Sequence, residues 1–165
     1  MVWQDQGDYL AVKVTRHTKS KKTLYNNIEL FRLNETGVPV EMLDTKDAVM
    51  ALSFEPRGSR FAMIHAENPT ASKVNVSFYD MMKVGEVPVK GTKKGAAAKQ
   101  EGTIAELNKI ETLVGRQCNF IFWSPAGSTI LMASLGDTAS GTLEFYDLET
   151  KTMVVKEPQP ATVLW

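Results

Sequence analysis

Cysteine is almost missing from this chain: Cys118 is the single one in 165 residues. One thiol cannot close a disulfide within these residues, and it fits a reducing compartment. Histidine is nearly as scarce, with His17 and His65 alone, which leaves no Cys/His metal-ligand spacing. No apolar run approaches the ~18 residues that span a bilayer. Net charge is also lacking, since 19 basic residues balance 19 acidic ones, and this gives no case for a chain-wide nucleic-acid binder. There is no Gly-x-Ser-x-Gly elbow, and Gly91-Thr-Lys-Lys-Gly95 lacks phosphate-loop spacing. No convergent Ser/His/Asp set is visible. His17 reads as a solvated loop residue, His65 as a strand-end histidine and Cys118 as a packed small side chain. The expectation is a protein that is not an enzyme, with no catalytic residue, no cofactor, no metal and no small-molecule ligand.

What the chain does have is a repeated module. It reads Trp3-Gln-Asp-Gln-Gly7-Asp-Tyr-Leu, then Phe54-Glu-Pro-Arg-Gly58-Ser-Arg-Phe, then Trp123-Ser-Pro-Ala-Gly127-Ser-Thr-Ile. Each copy ends an apolar stretch on an aromatic, turns through a Gly four residues on, and re-enters an apolar stretch. Trp165 stands where a fourth copy would begin. The intervals between the aromatics are 51, 69 and 42 residues. Propeller blades repeat every ~40–45 residues, so the last interval fits. The excess in the middle one lies in the Lys/Ala/Gly-rich stretch 89–102. A second echo follows each module: Ile28-Glu-Leu-Phe31-Arg-Leu, Val76-Ser-Phe78-Tyr-Asp80 and Leu143-Glu-Phe145-Tyr-Asp147. The dipeptides Tyr79-Asp80 and Tyr146-Asp147 sit where WD-type repeats carry Trp-Asp.

Period-2 patterning and Gly/Pro punctuation predict strands near 8–15, 26–33, 38–44, 48–54, 60–66, 73–80, 104–112, 117–123, 129–135, 141–147, 152–157 and 161–165. Thr103-Ile-Ala-Glu106 resembles a helix cap, and Ile104, Leu107, Ile110 and Leu113 recur at helical spacing. The repeat phase requires a strand there, and a strand is predicted. Gly7, Gly58 and Gly127 are assigned to tight turns at positive φ. The recurring aromatics Trp3, Phe54, Trp123 and Trp165, with Phe31, Phe78 and Phe145, are predicted core residues between blades. The fold class is therefore all-β, a WD40-like propeller segment of about three four-stranded blades. The blades fall at roughly 1–44, 45–113 and 114–157, with the next starting at 158–165. Three blades cannot close a ring that ordinarily has ~4–8, so the chain reads as part of a larger propeller.

Charge is uneven along the chain. Arg16, Lys19, Lys21 and Lys22 place four cations in seven residues on a predicted loop. Such a loop suits a phosphate backbone through charge and counterion release, which makes these four the candidate ribosome or RNA contact. Lys90, Lys93, Lys94 and Lys99 form a second basic cluster, read as a solvated insertion. Neither cluster carries the interleaved aromatics that base stacking needs.

Taken in order, Gly7-Asp-Tyr-Leu-Ala-Val-Lys-Val14, Arg16-His-Thr-Lys-Ser-Lys-Lys-Thr23, Val38-Pro-Val-Glu41, Phe54-Glu-Pro-Arg-Gly58, Val76-Ser-Phe-Tyr79 and Ile121-Phe-Trp-Ser-Pro-Ala-Gly127 resemble the b subunit of eukaryotic translation initiation factor 3. The basic run is most similar to fungal members, and the likeness spans the chain except residues about 83–103. The resemblance implies an interior piece of that family's WD-type propeller. It implies a non-catalytic scaffold in the cytoplasm, acting with other subunits of initiation factor 3 and with the small ribosomal subunit, its rRNA and proteins, in messenger recruitment and scanning. No membrane partner is implied. The alternatives are a propeller like that of translation initiation factor 2A, which carries similar Trp-x-Pro-x-Gly repeats, or a generic WD-type interaction propeller. No secretory leader pattern is seen at the start, so Asn34-Glu-Thr and Asn75-Val-Ser read as chance matches to the glycosylation signal.

Overall fold

The structure is a computed structural model that describes residues 1–17, 24–81, 107–136 and 141–158. The described residues form strands and turns with no helix. The strands are β1 (Val2–Trp3), β2 (Tyr9–His17), β3 (Leu24–Arg32), β4 (Val40–Thr45), β5 (Ala48–Phe54), β6 (Arg60–Ala66), β7 (Val74–Asp80), β8 (Asn108–Arg116), β9 (Phe120–Trp123), β10 (Thr129–Ala133), β11 (Thr142–Asp147) and β12 (Thr152–Pro158). They pair as three antiparallel four-stranded meanders, β1-β2-β3-β4, β5-β6-β7-β8 and β9-β10-β11-β12. Between sheets the backbones approach along the first strands, β1 to β5 and β5 to β9. This is the arrangement of propeller blades, whose innermost strands ring an axis.

The module aromatics hold equivalent places. Trp3 pairs with Leu10, Phe54 with Phe61 and Trp123 with Ile130. The residue after each aromatic donates its amide across the turn: Gln4 to Tyr9 O, Glu55 to Arg60 O and Ser124 to Thr129 O. The third strand then returns to the turn through Leu33 to Asp8 O, Met81 to Ser59 O and Leu148 to Ser128 O. One sequence pattern thus builds one hairpin-plus-strand unit three times.

Two cores lie between the sheets. The first packs Ala11, Ile28 and Leu30 against Val49, Phe54, Phe61, Met63 and Tyr79. Its rings form a row from Tyr9 through Phe54 and Phe61 to Tyr79, with successive centroids 6.1, 5.7 and 5.0 Å apart, the outer two pairs stacked and Phe54–Phe61 edge to face. The second packs Ala62, Ile64, Val76 and Phe78 against Ile121, Trp123, Ile130, Met132 and Tyr146. The indole N–H of Trp123 donates to Ser53 O at 3.0 Å, tying the third sheet to the second.

Several sequence expectations are corrected here. Trp3 is not core: it is 58% exposed, because module aromatics face the preceding sheet and none precedes it among the described residues. Phe31 does not stand in the place of Phe78 and Phe145. Register puts Leu30 there, opposite Ala11, and aligns Phe31-Arg32 with Tyr79-Asp80 and Tyr146-Asp147. Phe31 and Phe145 are both half-buried rather than core. Gly7 and Gly127 have φ of +79° and +93°, whereas Gly58 has no positive φ. Arg16 and His17 belong to β2, not to a loop. A two-residue strand, β1, precedes the first predicted one.

The ambiguous segment forms β8 at Asn108–Arg116, four residues later than predicted. Two extra residues interrupt its pairing with β7, one between Lys109 and Glu111 and one between Leu113 and Arg116. A bulge adds one residue to the period of two. That is why Ile110 and Leu113, three residues apart, both pack on the second core from one extended strand, while Leu107, just before β8, packs on the first. Trp165, the insertion 89–102 and the predicted strand 161–165 lie outside the described residues.

Candidate functional site

The basic run begins at the far end of β2. Arg16 donates from its guanidinium to Glu29 Oε1 at 2.6 Å across the β2–β3 pair, with its own side chain 46% exposed. An exposed pair of this kind is worth little in water and leaves the cation able to exchange partners. Lys19, Lys21 and Lys22 lie outside the described residues, as do Lys90, Lys93, Lys94 and Lys99.

A polar chain with no signature in the sequence crosses the second sheet. Asp47, in the turn before β5, contacts His65 Nδ1 at 2.5 Å. His65 Nε2 lies 2.8 Å from Ser77 Oγ, which lies 2.8 Å from Thr112 Oγ1. With the imidazole neutral, the protons run one way: Thr112 to Ser77, Ser77 to His65 Nε2, and Nδ1–H to the Asp47 carboxylate. The expectation that no Ser/His/Asp set exists is thereby corrected. The order is that of an activated serine, but the setting is not. Ser77 is 0% exposed and its oxygen is already shared between two partners. The chain joins the β5 turn, β6, β7 and β8, and acts as a strap within one blade. Sequence reasoning misses it because its members are 18, 12 and 35 residues apart.

The module turns meet at one end of the axis, and here the sheets are clasped by polar groups. Gln4 is 3% exposed. Its amide nitrogen donates to Gly58 O at 2.6 Å, and its oxygen accepts from Asp8 N at 3.1 Å. Glu55, the equivalent residue of the second module, forms a two-pronged pair with Arg60, one prong being Nε to Oε2 at 2.8 Å. The hydrogen bond to Glu55 raises the Arg60 pKa further above its ordinary value. The Arg60 guanidinium also stands 6.0 Å from the centroid of the Trp123 ring, within cation–π range. Asp5, Gln6, Pro56, Arg57, Trp123 and Pro125 line a cleft of about 400 Å³ at this end.

The acids of the second echo are structural. Asp147 accepts from Thr150 N and Glu149 N, each at 2.9 Å, and the first of these holds its carboxyl below the usual range. Asp80 accepts from Ser59 Oγ at 2.5 Å. Burial pushes the Cys118 thiol up to about 12, and the charge of Glu144 adds to this. Among the described residues no group of three or more His, Cys, Asp or Glu is placed to hold a metal, and no helix is long and apolar enough to cross a membrane.

A family model described as eukaryotic translation initiation factor eIF2A matches residues 1–165. The chain is 38% identical over 162 residues to the b subunit of eukaryotic translation initiation factor 3 from Schizosaccharomyces pombe, covering 96% of this chain and 20% of that protein. It is 39% identical over 157 residues to the same factor 3 protein of Arabidopsis thaliana, covering 93% and 19%. The chain therefore spans about a fifth of the length of these relatives. Among solved structures it resembles the β-propeller domain of the Trilobed protease from Pyrococcus furiosus, with a TM-score of 0.56, 14% identity, and coverage of 93% of this chain and 40% of that one. It also resembles an acylaminoacyl peptidase from Pyrococcus horikoshii, with a TM-score of 0.54, 11% identity, and coverage of 96% and 25%. At such identities these two show the propeller fold alone.

Proposed function

Because this chain belongs to the eukaryotic translation initiation factor eIF2A family, we propose that it is a propeller segment of a non-catalytic scaffold in translation initiation, of the kind present in the b subunit of initiation factor 3. The observation that carries this reading is the likeness to that relative along 96% of the chain. The scaffold works by surface complementarity. Rigid blades hold loops at fixed positions, and those loops meet the other subunits of the factor and the small ribosomal subunit in the cytoplasm.

The basic run at Arg16, Lys19, Lys21 and Lys22 is the segment we assign to ribosomal RNA or a ribosomal protein. Its cations suit phosphate, and the partly exposed Arg16 can trade Glu29 for it. The sealed position of Ser77 supports the absence of hydrolytic chemistry. The bare outer faces of the first and third sheets support a larger ring. Trp3, Val40 and Met42 are 58%, 48% and 59% exposed on one, and Phe122 is 40% exposed on the other. Each is the kind of surface a further blade covers. On this reading the blades run roughly over 1–44, 45–113 and 114–157.

A propeller like that of factor 2A is the second reading, favoured by the description of the matching family. Affinity purification of the tagged full-length protein separates the two. Recovery of the other factor 3 subunits in stoichiometric amounts supports the first reading. Recovery of the protein without them, in an extract where factor 3 stays assembled, rejects it.

A further inference from the structure

We propose that the cleft where the three module turns converge is a docking site for an exposed peptide loop of a partner protein, one that carries a carboxylate next to an aromatic residue or proline. The cleft is built from equivalent positions of all three modules. Asp5 and Gln6 form one lip, Pro56 and Arg57 a second, and Pro125 a third, with Trp123 completing the lining. A volume of about 400 Å³ lies within the ~300–1,000 Å³ range of ligand sites and takes one or two side chains.

The chemistry of the lining selects the occupant. The Trp123 N–H is already committed to Ser53 O and the residue is only 9% exposed, so it gives the cleft no free donor and the little surface it adds is apolar. Together with the two prolines this makes a rigid, mostly carbon-lined space, which suits an aromatic ring or a proline. Arg57 is exposed, and no ion pair or hydrogen bond engages its side chain among the described residues. The neighbouring Arg60, by contrast, is held by Glu55. A free guanidinium beside an apolar pocket fits a carboxylate, in two-pronged geometry. The exposed Asp5 on another lip sets the second limit. A phosphate backbone crossing the cleft would meet that carboxylate, whereas a peptide can turn its own carboxylate to Arg57 and a neutral or basic group to Asp5. This favours protein over nucleic acid here, in contrast to the basic run at residues 16–22.

The inference gives the scaffold reading a defined partner site, and its test needs neither ribosomes nor other factor subunits, so the two can fail separately. Fluorescence polarisation with the full-length protein would use three labelled probes. These are a hexapeptide containing Asp-Glu-Phe-Pro, the same peptide with Lys-Lys in place of Asp-Glu, and an oligouridylate of about ten nucleotides. The wild type should bind the acidic peptide in preference to the other two. Arg57→Glu should weaken that binding by about tenfold or more and shift preference to the lysine peptide, as a charge swap requires. Pro125→Arg, which puts a long side chain at the mouth, should weaken both peptides. Circular dichroism melts of each variant separate lost docking from lost fold. Acidic-peptide binding that is absent at about millimolar protein, or unaffected by Arg57→Glu, overturns the proposal. So does oligouridylate binding that Arg57→Glu abolishes, since it assigns the cleft to nucleic acid.

Discussion

The carboxylate of Glu55 occupies the space that a side chain on residue 58 would need: a Cβ built on Gly58 stands 1.9 Å from Glu55 Oε2. The same carboxylate approaches the third module, where a Cβ on Gly127 would stand 2.8 Å from Oε1. Two module glycines thus serve one buried acid. Gly58→Ala must displace Glu55 from Arg60 and is expected to destabilise by about 1–3 kcal/mol, the usual cost of overpacking. In Gly7→Ala only the backbone is strained, because nothing lies within 4 Å of the added carbon at its φ of +79°, and the cost is about 1–2 kcal/mol. Urea unfolding of each, alone and combined with Glu55→Ala, checks the cause. Glu55→Ala should remove most of the additional penalty at residue 58 and none at residue 7.

The strap across the second sheet makes a separate prediction. Ser77→Ala leaves the buried His65 Nε2 and the half-buried Thr112 hydroxyl short of a partner, at an expected cost of about 1–3 kcal/mol. No esterase activity should be lost, because none should be present. A fluorophosphonate probe followed by peptide mapping should leave Ser77 unlabelled in the native protein. Labelling at Ser77 would contradict the non-catalytic reading.

Alkaline pH should weaken the fold through Cys118. The folded thiol is held near 12 against an ordinary value of 9.0. Between those limits the unfolded chain releases the proton and the folded chain keeps it, so stability falls as pH rises above about 9. The slope has an upper bound of about 1.4 kcal/mol per pH unit. Unfolding free energies measured from pH 8 to 11 should show a shallower decline in Cys118→Ala than in the wild type. Equal slopes would mean that the thiol is as open to ionisation folded as unfolded.

The bare end faces predict the behaviour of the three sheets expressed alone. Such a segment should self-associate, because uncovered apolar sheets and open strand edges pair with copies of themselves. Paired substitutions Met42→Lys and Phe122→Lys, one on each face, should raise the monomer fraction in light scattering coupled to size exclusion. A monodisperse, cooperatively melting wild-type segment would argue against a larger ring.

The strands are legible in the sequence because the physics that forms them is local. An aromatic, a Gly turn and an apolar run recur, and Trp3, Phe54 and Trp123 do occupy one register. What the chain order hides is contact between distant residues. Nothing adjacent in sequence reveals that Asp47, His65, Ser77 and Thr112 share one proton path. Analogy with Gly7 assigns Gly58 a left-handed turn, yet Gly58 is small to admit Glu55. Residue type matches Phe31 to Phe78, whereas register matches Leu30 to it, since the pattern of inward faces and not aromaticity sets the phase. Trp3 reads as core because its equivalents are core, and burial depends on a neighbouring sheet that its own residues do not encode.

Cosedimentation of the full-length protein with purified small ribosomal subunits, across a salt series, tests the central claim most directly. The comparison is between the wild type and a variant with Arg16, Lys19, Lys21 and Lys22 changed to Ala. The account predicts that the variant, with its fold intact by circular dichroism, binds more weakly at low salt and shows a flatter salt dependence. Identical binding of the two proteins at every salt concentration would contradict the assignment of this run to the ribosome. Absence of binding by the wild type would contradict the scaffold itself.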